Sequence, residues 1–460
     1  MNPRVLIIGG GLSGLTTAFR LRSQGFNISL VDQGFLHDDP KRSESVSRSN
    51  FSPTPPSNTV EENHSSNALP IVLHGYHHAT WTLLKELGTD SLLDSHQSVN
   101  LEFVRDTEQA LEFTPFPAPS PFHLLMGLLL FKGLPWRDRW SLIKKLERIW
   151  EGDLQLPLDL DCQHVHAWLT TRGQSEEACQ HIWDPLCLFF LGTTFTQSSA
   201  DYFTKTLTQY FLSSRQQTRT FIPSQNERTL FIKPLSDRIA SEDITIHTDR
   251  MATYFHYDSY GIAGVKLDDG STLTADVYVS ALPRRKFLSC LPDRLLAKFS
   301  YFSNLSQLDE APTLIVHLEI PKTTTHSRLL LSTNRFQWMA IRPHTNNQTQ
   351  TTLISGVATD DREFLDTPDQ QILHELYAQA PSLLGNTINS AHPTHIIRKP
   401  QAFLSCKPNI STFRPLQKSP IPNLFVAGPW TDTTLPASRE SSILSGNLCA
   451  QAIIDSLSTH

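Results

Sequence analysis

Arg4-Val5-Leu6-Ile7-Ile8-Gly9-Gly10-Gly11-Leu12-Ser13-Gly14 opens the chain and decides its fold. The apolar, β-branched run suits a buried parallel strand. Leu15, Ala18, Phe19 and Leu21 then recur at spacings of three and four, which predicts a helix over 15–23 with Gly25 at its C-terminal cap. Asn27 to Val31 reads as a second strand, closed by Asp32. Gly9 makes the tight turn, Gly11 lets the backbone approach a pyrophosphate, and Gly14 lets helix and strand pack closely. The free N–H groups of the helix N-terminus face the phosphates. Asp32, eighteen residues after Gly14, accepts from a ribose hydroxyl. A lone Gly-x-Gly-x-x-Gly says little. Between a strand and a helix, and followed by an acid, it predicts a dinucleotide-binding unit, without separating FAD from NAD.

At 460 residues the chain has room for two or three domains. A net charge of −6 without a long basic run argues against a nucleic-acid partner. Six cysteines, at 162, 179, 187, 290, 406 and 449, form no Cys-x-x-Cys pair. They point to reduced thiols in a cytoplasmic protein rather than to disulfides or zinc. His74, His77 and His78 fall at an apparent helix start, and no metal is expected there. Met1 leads straight into the first strand, so no signal peptide is expected. No apolar run reaches the roughly 20 residues of a spanning helix.

Residues 33–66 are polar, with eight serines after position 37, and read as a loop with too little apolar surface to pack. From Val72 the pattern turns helical up to Gly88. Short strands are predicted at 101–104 and 111–113, and helices at 122–131, 136–150, 165–170, 176–183 and 200–211. This middle block is mainly helical and apolar, as a substrate domain would be. The chain returns to β at 244–246, 251–257, 262–267 and 273–281, with Asp269-Gly270 as a hairpin turn. Ala275 to Pro283 re-enters the nucleotide-binding sheet. Strands at 312–320, 328–332, 336–341 and 351–358 predict the floor of a substrate cavity, followed by a helix at 368–384. Asn423 to Gly428 is a strand ending in glycine. A last helix runs from about Ser438 to Leu457, where Gly446 permits close packing.

The N-terminal fingerprint, the Gly264 to Pro283 segment and the terminal strand–Gly–helix together resemble the FAD-dependent amine oxidase and phytoene desaturase superfamily. Within it, the chain is most similar to the hydroxysqualene dehydroxylases, also called squalene-associated FAD-dependent desaturases. His74-Gly75-Tyr76, Trp183-Asp184-Pro185-Leu186-Cys187 with Ala200 downstream, Gln337-Trp338, and Trp430-Thr431-Asp432-Thr433-Thr434-Leu435-Pro436-Ala437 carry that resemblance. It implies an α/β fold: a discontinuous Rossmann-like FAD-binding domain (1–70, 222–290 and 400–460) with a mixed α+β substrate domain (71–221, mainly helical, and 291–399).

The implied cofactor is FAD, held non-covalently by Gly9, Gly11, Leu12, Ser13, Gly14 and Asp32, with the backbone near Met251 at the adenine. Gly428 and Leu435-Pro436-Ala437 lie at the flavin end, where the last helix's N-terminus stabilises negative charge on a reduced flavin. The implied substrate is hydroxysqualene, an isoprenoid lipid, and Trp183, Leu186, Phe189, Phe190, Trp338 and Trp430 are expected to line its tunnel. Asp184 and Glu440 are the candidate acids for hydroxyl departure. The electron donor is not legible.

Four stretches depart from the family pattern. An Arg-x-Gly-Gly-Arg-type stretch is replaced by the polar loop, with Arg42 and Arg48 as substitutes for phosphate contact. Asn67 to Val72 replaces an Asp-Asn-Gly-Gln-His-like stretch. Gly428-Pro429 replaces Gly-Asp, and Glu440-Ser441-Ser442 replaces Glu-Gly-Ala. Two other readings stay open: a carotenoid desaturase of the same superfamily, and a non-catalytic flavoprotein-like homologue. Phe122 to Phe131 followed by Lys132, Arg137, Arg139, Lys144, Lys145 and Arg148 sets an apolar wedge beside a basic patch. That pattern fits either peripheral contact with an anionic membrane or a buried helix pair.

Overall fold

The computed structural model describes residues 3–34, 69–93, 98–104, 110–118, 122–150, 160–211, 214, 216–240, 244–321, 324–346, 349–379 and 392–458. Arg42, Arg48 and nearly all of the predicted polar loop lie outside the described residues, as does the end of the predicted 368–384 helix. So do the side chains of Lys145 and Arg148.

Strand Arg4–Ile8 buries its last four residues and sits at the centre of a five-stranded parallel sheet. The order is Leu424–Val426, Val277–Ser280, Arg4–Ile8, Asn27–Asp32, Ile244–Thr248. Gly9 leaves the first strand at φ +115°, and helix Leu12–Arg22 follows. A Cβ on Gly14 would fall 1.9 Å from the Gly9 carbonyl oxygen, so only glycine lets this helix start so close to the strand. The helix is capped at Ser23, and Gly25, at φ +82°, makes the turn beyond it.

Helix Arg439–Ser458 packs along this first helix. A Cβ on Gly446 would lie 2.7 Å from the Ser13 carbonyl, and the Thr17 hydroxyl donates to Ser13 and Gly446 carbonyls. Ile7, Leu15, Leu30, Val279, Phe425 and Ile443 share the core between these layers. Each such buried side chain contributes about 1.5–3 kcal/mol. The α/β expectation therefore holds.

The predicted strand 273–281 is two elements. Thr272–Leu273 completes a meander with Ala252–Tyr257 and Ile262–Leu267, whereas Val277–Ser280 belongs to the parallel sheet. The Arg4 N–H donates to Asp276 and the Asp276 N–H to the Arg4 carbonyl, which fixes the crossing between the two sheets.

A seven-stranded sheet forms the second layer. Its order is His392–Leu404, Glu310–Ile320, Thr349–Thr359, Trp338–Asn346, Arg328–Ser332, Leu101–Val104, Ala110–Phe113, and only the Arg328–Ser332 and Leu101–Val104 pairing is parallel. Trp338, Ala340, Ile315 and Val357 face the helical block, while Met339, Ile341, Leu314 and Val316 pack with Ile372 and Leu376 of helix Asp369–Gln379. Strand His392–Leu404 was not predicted. Pro393 and Pro400 spoil its pattern, yet prolines are tolerated because this is an edge strand paired to Glu310–Ile320.

The helix predicted from Val72 begins at His78, because Leu73–His74 pairs as a strand with Thr220–Phe221. Predicted helix 176–183 widens into a π-turn at Cys179–Trp183 and runs on as Asp184–Leu191. A second π-turn, Arg228–Ile232, precedes helix Lys233–Ile239. Pro185 and Pro234 explain both. Each lacks an N–H and crowds the carbonyl four residues back, and the wide turn absorbs both defects.

Candidate cofactor and substrate site

Gly11 caps the N-terminus of helix Leu12–Arg22, and a Cβ there would meet no atom within 4 Å. The open space lies in front of free helix N–H groups, as a pyrophosphate cradle requires. Ser13 donates its hydroxyl to the Ser442 carbonyl, and Leu12 and Gly14 are buried. A Cβ on Gly10 would lie 2.5 Å from Asp32 Oδ1, so the carboxylate sits directly under the glycine turn, where it accepts the Gly34 N–H at 3.1 Å. Met251 donates its N–H to Asp268 Oδ1 at 3.1 Å and accepts the Asp268 N–H at 2.9 Å. The Met251 backbone expected at the adenine is therefore engaged by Asp268 through both its N–H and its carbonyl.

Where the flavin end is expected, Gly428 donates its N–H to Ser445 Oγ, and a Cβ on Gly428 would strike the Trp430 ring. The loop 429–435 is held by Arg414, which is 5% exposed. Its guanidinium donates to the carbonyls of Pro429 (2.9 Å), Thr431 (2.5 Å) and Leu435 (2.5 Å) and to the hydroxyls of Tyr202 and Thr433. Thr434 stands at φ +60°, an outlier for a β-branched residue that this network sustains, and Leu435, Pro436 and Ala437 follow half-buried. Ser441 bonds Thr433 Oγ1, and the Ser442 hydroxyl bonds the Ser438 carbonyl. The two serines of the departing stretch thus serve the loop and the helix start.

Both candidate acids are engaged by backbone N–H groups. Glu440 accepts the N–H groups of Ala79 and Thr80 and the Thr80 hydroxyl, at 2.9, 2.8 and 2.6 Å, across the start of helix His78–Leu87. Burial raises its carboxyl above the usual range, and those donors oppose the rise. Asp184 accepts the Phe195 N–H at 2.8 Å, beside Asp360, which accepts the Thr194 N–H. Burial pushes the Asp184 carboxyl up from 3.8 to about 6.

Between those pH values the folded state keeps a proton that the unfolded chain has released. The contribution of Asp184 to stability therefore falls as pH rises from about 4 to about 6, by up to about 3 kcal/mol. Asp184→Asn keeps the acceptor for Phe195 and should flatten that slope in urea unfolding; an unchanged slope contradicts the assignment.

The expected tunnel wall divides. Phe189, Phe190 and Trp338 come together: Trp338 meets Phe189 edge-on at 5.4 Å, and Phe189 and Phe190 pack on His74. Tyr76 stacks on His74 at 5.3 Å, and Tyr210 packs on Phe190. Gln337 bonds Thr359 in both directions and so fixes its neighbour Trp338. Trp183 instead donates to Gln174 and packs on Phe203, Leu186 lies in the core, and Trp430 stacks on Phe287 with its N–H on the Leu282 carbonyl. Those three occupy well-packed positions outside the wall's ring contacts.

His74 Nδ1 and the Tyr210 hydroxyl both bond Thr220 Oγ1. Burial pushes the His77 imidazole down to about 3, with Arg439 and His78 adding to the shift, and burial with His77 lowers His74 well below its ordinary range. Both are neutral at physiological pH. Sequence reasoning missed His74 and Tyr210 as wall residues, although His74-Gly75-Tyr76 had marked the place.

The family described as flavin containing amine oxidoreductase matches residues 61–454. The chain belongs to that family. A NAD(P)-binding Rossmann-like domain matches residues 7–35. A probable zeta-carotene desaturase of Synechococcus elongatus is 22% identical over 98% of each chain. A 15-cis-phytoene desaturase of the same organism is 28% identical over 48% of this chain and 46% of its own. Among solved structures, an oxidoreductase from Methanosarcina mazei superposes with a TM-score of 0.67 at 16% identity, over 98% of this chain and 100% of its own. Cyclohexylamine oxidase from Brevibacterium oxydans gives 0.65 at 17%, over the whole of both chains. These two show the fold. Family membership decides for FAD, which the glycine motif had left open, and makes the protein a flavin-dependent oxidoreductase.

Proposed function

We propose that the protein removes the hydroxyl of hydroxysqualene reductively, giving squalene. The aromatic wall carries this reading. Phe189, Phe190, Tyr76 and Tyr210 pack with Trp338 of the sheet floor into one aromatic cluster, whose apolar character suits a long isoprenoid chain. The Trp183-to-Cys187 and Trp430-to-Ala437 stretches favour the dehydroxylase branch.

In the reaction one C–O bond breaks, one C–H bond forms, and the oxygen leaves as water. Reduced FAD, when bound, would supply a hydride, its two electrons included, and one proton taken up from solvent completes the departing water. Gly9, Gly11, Gly14 and Asp32 would hold its dinucleotide half. The loop locked by Arg414 and the last helix's N-terminus would hold its flavin end. The wall orients the chain and excludes water.

A carotenoid desaturase is the second reading, favoured by the full-length similarity to zeta-carotene desaturases. Flavin spectroscopy without oxygen separates them. Under our proposal, hydroxysqualene reoxidises the reduced protein, and zeta-carotene leaves the oxidised protein unchanged; the reverse pattern favours the desaturase.

The same substrate calls for a membrane surface, and we place the protein in the cytoplasm, peripheral on a membrane. Among the described residues no helix is long and apolar enough to cross one. Helices Phe122–Leu130 and Trp136–Trp150 leave Phe122 58%, Leu130 61%, Trp136 61% and Trp140 47% exposed, with Lys132, Arg137 and Lys144 beside them. Arg139 is set apart, because it bonds the Leu129 and Leu134 carbonyls. Tryptophans beside basic residues suit an anionic interface, each basic residue contributing ~1 kcal/mol. Charge reversal at Arg137 and Lys144 together should lower flotation with anionic liposomes about tenfold or more; flotation indifferent to both charge and lipid contradicts the docking.

A further inference from the structure

The sheet floor has a polar end. Trp338, Ala340 and Arg342 alternate onto one face of their strand. Arg342 pairs across to Leu353, and Ser355 to His317, on the same face, where His317 Nδ1 and Ser355 Oγ lie 2.8 Å apart. From the wall at Trp338 to Arg342 is about 13 Å along the strand.

Arg342, His317 and Ser355 line a small cleft of about 30 Å³, open to solvent, whose far wall is formed by Leu69 to Ile71 and by the segment ending at Glu227. Arg439 ties that far wall together. It donates to Glu227 Oε2 at 3.2 Å and to the Leu69 carbonyl at 2.8 Å, from the first position of the last helix. The cleft thus shares the sheet face of Trp338 and lies beside the start of the last helix, where the flavin is expected.

Arg342 is out of place in a purely hydrocarbon site. One guanidinium nitrogen donates to the Ser224 carbonyl. Among the described residues no carboxylate pairs with Arg342, and the carboxylate lining the cleft, Glu227, is taken by Arg439. Burial alone lowers the guanidinium to about 10. A half-buried guanidinium with donors left toward the cleft gains from an oxygen ligand. Squalene and carotenes carry none.

We infer that Arg342 sets specificity by holding the oxygen of a hydroxylated isoprenoid at the polar end of the floor. This rests on the reading that an isoprenoid lies along the wall. The competing role is a clasp: Arg342 would merely pin the segment at Ser224 to the sheet.

Binding of hydroxysqualene and of squalene to the oxidised holoprotein, followed by tryptophan fluorescence, separates the two. Wild type should prefer hydroxysqualene by about 10- to 100-fold, the worth of a hydrogen bond to a charged group. Arg342→Met should bring the ratio to about 1 and leave squalene affinity within about twofold. An unchanged ratio, or an equal loss for both lipids, overturns the inference. If Arg342→Met does not fold, Arg342→Lys decides: a reduced ratio supports it and an unchanged ratio overturns it. Equal binding of both lipids by wild type refutes this inference alone. Discrimination without squalene formation refutes the assigned reaction and leaves the inference standing.

Discussion

Gly11→Val should abolish flavin retention and leave the protein folded. Gly11 has φ −76° and ψ −180°, an extended conformation that valine adopts without strain. Among the described residues, no atom beyond its chain neighbours lies within 4 Å of a Cβ at this position, so a side chain starts into open space. It fills the space in front of the helix N–H groups, which a phosphate must reach. FAD affinity should fall by at least about 100-fold, equivalent to roughly 3 kcal/mol. Gly14→Ala is the contrasting variant. Its methyl would sit 1.9 Å from the Gly9 carbonyl oxygen, and backbone has to move. That overpacking should destabilise the fold by about 3 kcal/mol. Visible flavin absorbance of the purified variants, with urea unfolding, checks both. Full flavin occupancy in Gly11→Val would remove the cradle from this turn.

Arg414→Met should be the most damaging single change outside the glycine motif. The guanidinium ties three carbonyls and one hydroxyl of the loop 429–435 to each other and to the distant Tyr202 hydroxyl. Methionine fills most of the volume but removes the donor of the Thr431 and Leu435 carbonyls and leaves Pro429 and Thr433 only their bonds to Ser441. Losing such a network costs about 3–5 kcal/mol. The loop 429–435 would also relax, since Thr434 holds its left-handed conformation only while its surroundings impose it. The variant should unfold at lower urea and be purified with little flavin. Unfolding at the wild-type urea concentration with full flavin content would show that the loop is held by other means.

Local chemistry explains which parts were legible. The strand–glycine–helix–acid unit lies within 32 residues, and each residue's task follows from its neighbours. The wall was half legible: Phe189, Phe190 and Trp338 meet, whereas Trp183 and Trp430 carry the same aromatic signal and pack elsewhere. Glu440 looked like a candidate acid because its partners, Ala79 and Thr80, lie some 360 residues away. Arg342 and Arg414 gave no signal, since a lone arginine in a strand or loop has no local pattern. Strand His392–Leu404 was hidden by its prolines and is made by its partner.

The central claim is the direction and product of the reaction, and lipid analysis tests it most directly. The holoprotein, reduced without oxygen, is incubated with hydroxysqualene, and the extracted lipids are analysed by mass spectrometry. The account predicts squalene, one molecule for each reduced flavin. Hydroxysqualene recovered unchanged, while the oxidised protein dehydrogenates zeta-carotene, would contradict it.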